Sequence, residues 1–197
     1  DPHFPVTELL VLENTHNSSG GSVLPLEFLT EARAFTDSRG MRLHIDGARI
    51  ANAEAATGIS LAEYAACADS VSCCLSKGLS APIGTVLVGD QEFIRRARRT
   101  RKLFGGGMRQ AGIIAACGLV ALRDMRGRLK DDHRRAKELA RGLDARDGFS
   151  VNEPETNLVY VQCPRLARNF VTACAEKGVL TLALDDDTLR FVTHKDI

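Results

Sequence analysis

The sequence predicts an α/β fold: a largely parallel sheet layered with helices, followed by a smaller α+β C-terminal domain. Three observations carry that prediction. Apolar runs of strand length alternate with helical patterns through residues 1–125, the expected large domain. The texture then changes to a charged amphipathic helix and short strands, which sets residues 126–197 apart as the second domain. A hydrophobic share of 44% against 26% charged residues, over 197 residues, suffices for one good core or two small ones.

The elements follow in order. "ELLVLEN" at 8–14 reads as a buried strand, and "PLEFLTEARAFTDSRG" at 25–40 as a helix opened by Pro25 and closed at Gly40. "MRLHID" at 41–46 is a strand ending in an acid. Two helical patterns follow, "GARIANAEAATG" and "SLAEYAACAD", the second opened by Ser60 with Glu63 three residues on, the pattern of a capping box. "SVSCCLS" at 70–76 and "GTVLVGD" at 84–90 are further strands. "QEFIRRARRTRK" is a basic helix, and Gly105 to Gly107 form a turn feeding a long apolar helix, with incidental anion contact as a second possibility for its backbone. Beyond 126, "RGRLKDDHRRAKELARGLDARDG" is a charged helix, "NLVYVQC" a strand, "PRLARNFVTACAEKG" a helix and "VLTLALDDDTLRFVTH" a pair of short strands.

Composition excludes several classes of function. A net charge of +1 gives neither a nucleic-acid footprint nor an acidic halo. The run "RRARRTRK" at 95–102 is basic, but its helical spacing without interleaved aromatics fits a solvated face or a subunit contact better than RNA. The longest apolar run, "AGIIAACGLVAL" at 111–122, is far short of the roughly 20 residues that cross a bilayer, so no membrane association is expected. Cysteines 67, 73, 74, 117, 163 and 174 show no CxxC pair and no Cys/His spacing that suits zinc, which points to free thiols and no metal. The opening "DPHFPVTELL" carries no basic and apolar leader. A cytoplasmic location is expected, with a mitochondrial one left open.

In parallel α/β sheets ligands gather where the strands end. The first strand exits into "ENTHN", the second into "DGAR" and the third into "SKG", which would set His16, Asp46, Arg49 and Lys77 along one edge. Those residue types suit pyridoxal 5'-phosphate. A lysine amine condenses with the aldehyde, a carboxylate holds the pyridine nitrogen protonated, and an arginine donates to the phenolic oxygen. Blander readings stand beside this one. Lys77 is also a plausible surface lysine, Asp46 and Arg49 a helix cap and its local partner, and His16 a residue that merely holds the "NTHN" turn.

Together "LENTHN", "LHIDGARIANA", "CLSKGLSAPIGTVLVG", "RKLFGGGMRQAGI" and "LRFVTH" resemble the low-specificity L-threonine aldolases, of the threonine aldolase and β-eliminating lyase family of fold-type I pyridoxal-phosphate enzymes. The likeness covers nearly the whole chain in order. It implies the aspartate aminotransferase-type fold and cleavage of L-threonine or L-allo-threonine to glycine and acetaldehyde. It also implies roles: Lys77 as the Schiff-base lysine, Asp46 as partner of the pyridine nitrogen, and Arg49 as contact to the ring oxygen and substrate carboxylate. Arg190 would grip the substrate carboxylate, and His16 would sit near its hydroxyl. Lys102 and Arg109 would reach the cofactor phosphate region across a subunit boundary, in a homodimer or homotetramer with shared active sites. Measured against the resembled family, the N-terminal part with the phosphate-cradling turn is missing. Two alternatives therefore stay open, a non-catalytic fragment or remnant and a related pyridoxal-phosphate β-eliminating lyase.

Overall fold

The computed structural model describes residues 3–197, which divide into two compact units. The first runs to Thr15 and again from Leu24 to Gly127; the second takes His16–Val23 and Arg128–Ile197.

The first unit holds β1 (Leu9–Glu13), α1 (Leu26–Ser38), β2 (Arg42–Gly47), α2 (Ile50–Thr57), α3 (Leu61–Ala66), β3 (Ser70–Cys74), β4 (Thr85–Gly89), α4 (Gln91–Leu103) and α5 (Gly112–Val120). Its sheet is ordered β1-β2-β3-β4. The first two pairings are parallel and the third antiparallel. The reversal has a simple cause: residues 75–84 contain no helix to carry a parallel crossover, so the chain turns back beside β3. Leu43 and Ile45 of β2, Val71 of β3, Leu29 of α1, Ile50 of α2 and Tyr64 of α3 are buried together as the core of this unit. Pro25 caps α1, and α3 carries the full capping box, with Ser60 Oγ accepting the Glu63 N–H while the Glu63 carboxylate accepts the Ser60 N–H.

The start of β3 is tied to β2 by one carboxylate. Asp69 accepts the Leu43 N–H at 2.8 Å, Arg33 at 2.6 Å and Arg42 at 2.8 Å. Partial burial pushes its pKa up, but the Leu43 N–H and the two guanidiniums outweigh that and hold it at about 2. After α5 the chain forms a π-type turn over Ala121–Met125, and Arg126 then makes a two-pronged ion pair with Glu54 of α2, at 2.5 and 2.9 Å. The helix expected to run on through residue 122 therefore changes geometry at Ala121.

The second unit holds α6 (Leu129–Asp144), β5 (Ser150–Val151), β6 (Leu158–Gln162), α7 (Ala167–Glu176), β7 (Leu182–Ala183) and β8 (Thr188–Val192). Its sheet is antiparallel throughout, in the order β5-β6-β8-β7. The inward residues Val159, Val161, Leu189 and Phe191 meet Ala136 and Ala140 of α6 and Ala167 of α7 in one core. Small residues on the helices let them lie close to the sheet. The excursion His16–Val23 belongs to this unit, with Tyr160 Oη donating to Asn17 O at 2.8 Å and Thr156 Oγ1 to Gly21 O at 2.8 Å. Gly21 is required there: its φ is +81°, and a Cβ would stand 2.4 Å from Thr156 Oγ1.

Candidate active site

Asp46 is the penultimate residue of β2, half-buried, paired in register with Glu13 on one side and Ser72 on the other. Its Oδ1 accepts the Ala48 N–H at 3.1 Å and the Ser72 hydroxyl at 3.3 Å. Both donors converge on one oxygen, which orients the carboxylate and leaves Oδ2 for a further donor. Gly47 makes the exit possible, because a Cβ on it would lie 2.4 Å from the Ser72 carbonyl oxygen. Arg49, half-buried, is the residue from which α2 starts.

Lys77 lies three residues beyond β3, the strand next to β2, and therefore at the same end of the parallel pair as Asp46. It sits in a loop whose apolar members are anchored: Leu75, Leu79 and Ala81 are buried, while Lys77 is exposed. Backbone bonds close the loop, from Leu75 N to Gly84 O at 2.9 Å, Ser80 N to Lys77 O at 2.8 Å and Ala81 N to Leu75 O at 2.9 Å. The loop thus exposes the lysine between buried neighbours, with its backbone closed by three hydrogen bonds. Cys74 registers that charge. Burial pushes its thiol up, but hydrogen bonds to Ser76 and the Lys77 ammonium bring it below the usual range.

His16 and Arg190 belong to the second unit. His16 is half-buried in its own hairpin, with Nδ1 at 2.6 Å from Ser19 Oγ and its backbone paired with Ser22 and Gly21. These contacts are those of a residue that holds its turn. Arg190, on β8 opposite Tyr160 and Leu182, lines a cavity of about 570 Å³ with Thr181, Leu182, Val192 and His194. Its Nε is buried with no hydrogen-bond partner, an unmet donor that an anion would satisfy. Lys102, near the end of α4, and Arg109, just before α5, are both exposed.

Three residues escape a reading of the sequence. Ser72 orients Asp46 only through strand register, which no spacing rule reveals. Asn14, the last residue of the expected buried strand, and Thr15 just after it are wholly buried polar residues at the end of β1. Among the described residues, no group of three or more His, Cys, Asp or Glu could hold a metal ion, and no helix is long and apolar enough to cross a membrane.

Comparison with known proteins gives a consistent picture. The family model described as beta-eliminating lyase matches residues 1–164. The low specificity L-threonine aldolase of Escherichia coli K12 is 45% identical over 199 residues, covering 100% of this chain and 58% of that protein. Low-specificity L-threonine aldolase 1 of Arabidopsis thaliana is 41% identical over 204 residues, covering 98% and 56%. The chain thus spans little more than half the length of these relatives. Among solved structures, a Leishmania major threonine aldolase superposes with a TM-score of 0.79 at 18% identity, covering 98% of this chain and 58% of that one. A Staphylococcus aureus aminotransferase gives 0.73 at 18%, covering 96% and 54%. At those identities the two structures show the fold, the fold-type I architecture of pyridoxal-phosphate enzymes.

Proposed function

The chain belongs to the β-eliminating lyase family, and on that premise we propose that it serves pyridoxal-phosphate-dependent retro-aldol cleavage of L-threonine or L-allo-threonine to glycine and acetaldehyde. One observation carries the reading: an exposed lysine on a hydrogen-bonded loop and an oriented carboxylate stand at the same end of neighbouring parallel strands. The donor set fits the cofactor, with a primary amine at Lys77, an acceptor at Asp46 Oδ2 and a guanidinium at Arg49. Pyridoxal phosphate, when bound, would supply an electron sink beside the bond between the α and β carbons.

The chain's own residues do the rest. Lys77 would hold the cofactor through its amine, and Asp46 would keep the pyridine nitrogen protonated. Arg49 donates to the phenolic oxygen and to the substrate carboxylate. Arg190 also binds the substrate carboxylate, a role supported by its unpartnered buried Nε. His16 takes the proton of the β-hydroxyl. Lys102 and Arg109 serve the phosphate region of a second subunit. Exposed apolar residues beside them, Phe104 at 86% and Ile113 at 80%, support a homodimer or homotetramer, since a helix as uniformly apolar as α5 is normally covered. Six free thiols support a reducing compartment, the cytosol.

The test is product analysis. The chain, supplied with pyridoxal phosphate and L-threonine, should release equimolar acetaldehyde and glycine. Ammonia and a keto acid would instead identify a β-eliminating lyase, and no product at all would reject turnover by this chain.

A further inference from the structure

Asn14 is wholly buried, and half of its amide is committed: Oδ1 accepts the Leu24 N–H at 3.1 Å. A backbone N–H only donates, so it fixes the amide with the oxygen facing it and Nδ2 turned away. That Nδ2 has no partner, and neither has Oγ1 of Thr15, equally buried. Buried polar atoms are nearly always paired, so two adjacent orphans single this position out.

The path of the chain shows what. The Asn14 N–H donates to Asp46 O at 3.0 Å, continuing the β1–β2 ladder one residue beyond Glu13. The chain then leaves the first unit after Thr15 and re-enters it at Leu24. The bond from Leu24 to the Asn14 side chain therefore closes the neck of the excursion. Inside that excursion His16 N donates to Ser22 O at 2.9 Å, Gly21 N to His16 O at 2.9 Å, and the imidazole Nδ1 meets Ser19 Oγ at 2.6 Å. The two backbone bonds cross the limbs and form only while these stay together; they fix the turn within which the ring meets Ser19, three residues on.

We propose that Asn14 is a positioning residue for His16: its amide oxygen closes the neck of the hairpin that carries the imidazole and so holds that ring in one hydrogen-bonded state. The relevance to catalysis rests on the reading of His16 given above, but the positioning itself is measurable without turnover.

The experiment uses the full chain, labelled with ¹⁵N, as Asn14→Ala and Asn14→Asp. Aspartate keeps an acceptor where Oδ1 stands and puts a second oxygen, charged or protonated, in place of the unpartnered donor; alanine loses both. In Asn14→Ala the Leu24 amide should exchange roughly three- to tenfold faster, the effect of one net hydrogen bond. The His16 ring-nitrogen shifts should move toward tautomeric averaging while the β2 amides hold their protection. Asn14→Asp should restore both readouts to within about twofold of the parent. Where turnover is present, Asn14→Ala should lower kcat and leave KM alone. A His16 response in a chain that makes no product would sink the aldolase reading and leave the positioning claim standing. Unchanged Leu24 exchange and His16 shifts in Asn14→Ala would overturn the proposal. So would an Asn14→Asp chain that keeps its dispersion yet behaves like Asn14→Ala, or loss of dispersion across the first unit in both variants, which would make Asn14 an ordinary core residue.

Discussion

Replacing Asp69 with asparagine tests how the sheet that positions Asp46 is held. Its side chain is three-quarters covered and receives three donors, the Leu43 N–H, Arg33 and Arg42. Against an ordinary value of 3.8, its pKa is held at about 2, because those donors outweigh the cost of burial. A shift of nearly two units at about 1.36 kcal/mol per unit, reduced for partial exposure, gives about 2 kcal/mol of stability from the charged form. The sign follows from the depressed pKa: the contribution is complete above the unfolded value near 4 and is lost as pH falls through 2. Urea unfolding of parent and Asp69→Asn should therefore differ by about 2 kcal/mol at pH 7 and about half that at pH 3. A gap that stays constant between pH 7 and pH 3 would refute the reasoning, because the loss would then come from shape and not from charge.

Other substitutions probe separate parts of the account. Gly47→Ala should destabilise by about 3 kcal/mol or more, since the new Cβ meets the Ser72 carbonyl oxygen at 2.4 Å, and thermal unfolding reads it directly. Burial holds His133 near pH 4 against its ordinary 6.5, with Asp132 pulling the other way. A histidine buried neutral costs stability as pH falls from 6.5 to 4, so the parent should lose up to about 3 kcal/mol across that window and His133→Gln should show a flatter profile in urea titrations. Asp46→Asn should leave folding intact and cut cofactor-dependent turnover by roughly 10²-fold or more, because asparagine cannot hold a proton on the ring nitrogen; turnover equal to the parent would remove Asp46 from the site.

The first unit was legible because its signals are local. Strand-length apolar runs, Pro25 at a helix start and the Ser60–Glu63 box each act within a few residues, and β1 to β4 and α1 to α3 appear where those signals place them. The antiparallel turn of β4 was not legible, since "TVLVG" reads the same in either direction. β5 has two residues, too few for any period. Lys77 and Asp46 stood out because a charge ending an apolar run is costly without a purpose. Ser72 and Asn14 did not, because their importance lies in partners that are distant along the chain, Asp46 and Leu24. The membership of His16–Val23 in the second unit depends on Tyr160, Thr156 and Glu155, more than 130 residues away.

Reductive trapping of the cofactor addresses the claim on which the rest depends. The chain is incubated with pyridoxal phosphate, reduced with borohydride and mapped by peptide mass spectrometry beside Lys77→Ala. A single adduct on Lys77, absent from the variant, is the expected result. Label scattered over Lys102, Lys130 and other exposed amines, or persisting unchanged in Lys77→Ala, would contradict the assignment of this loop as the cofactor-bearing site.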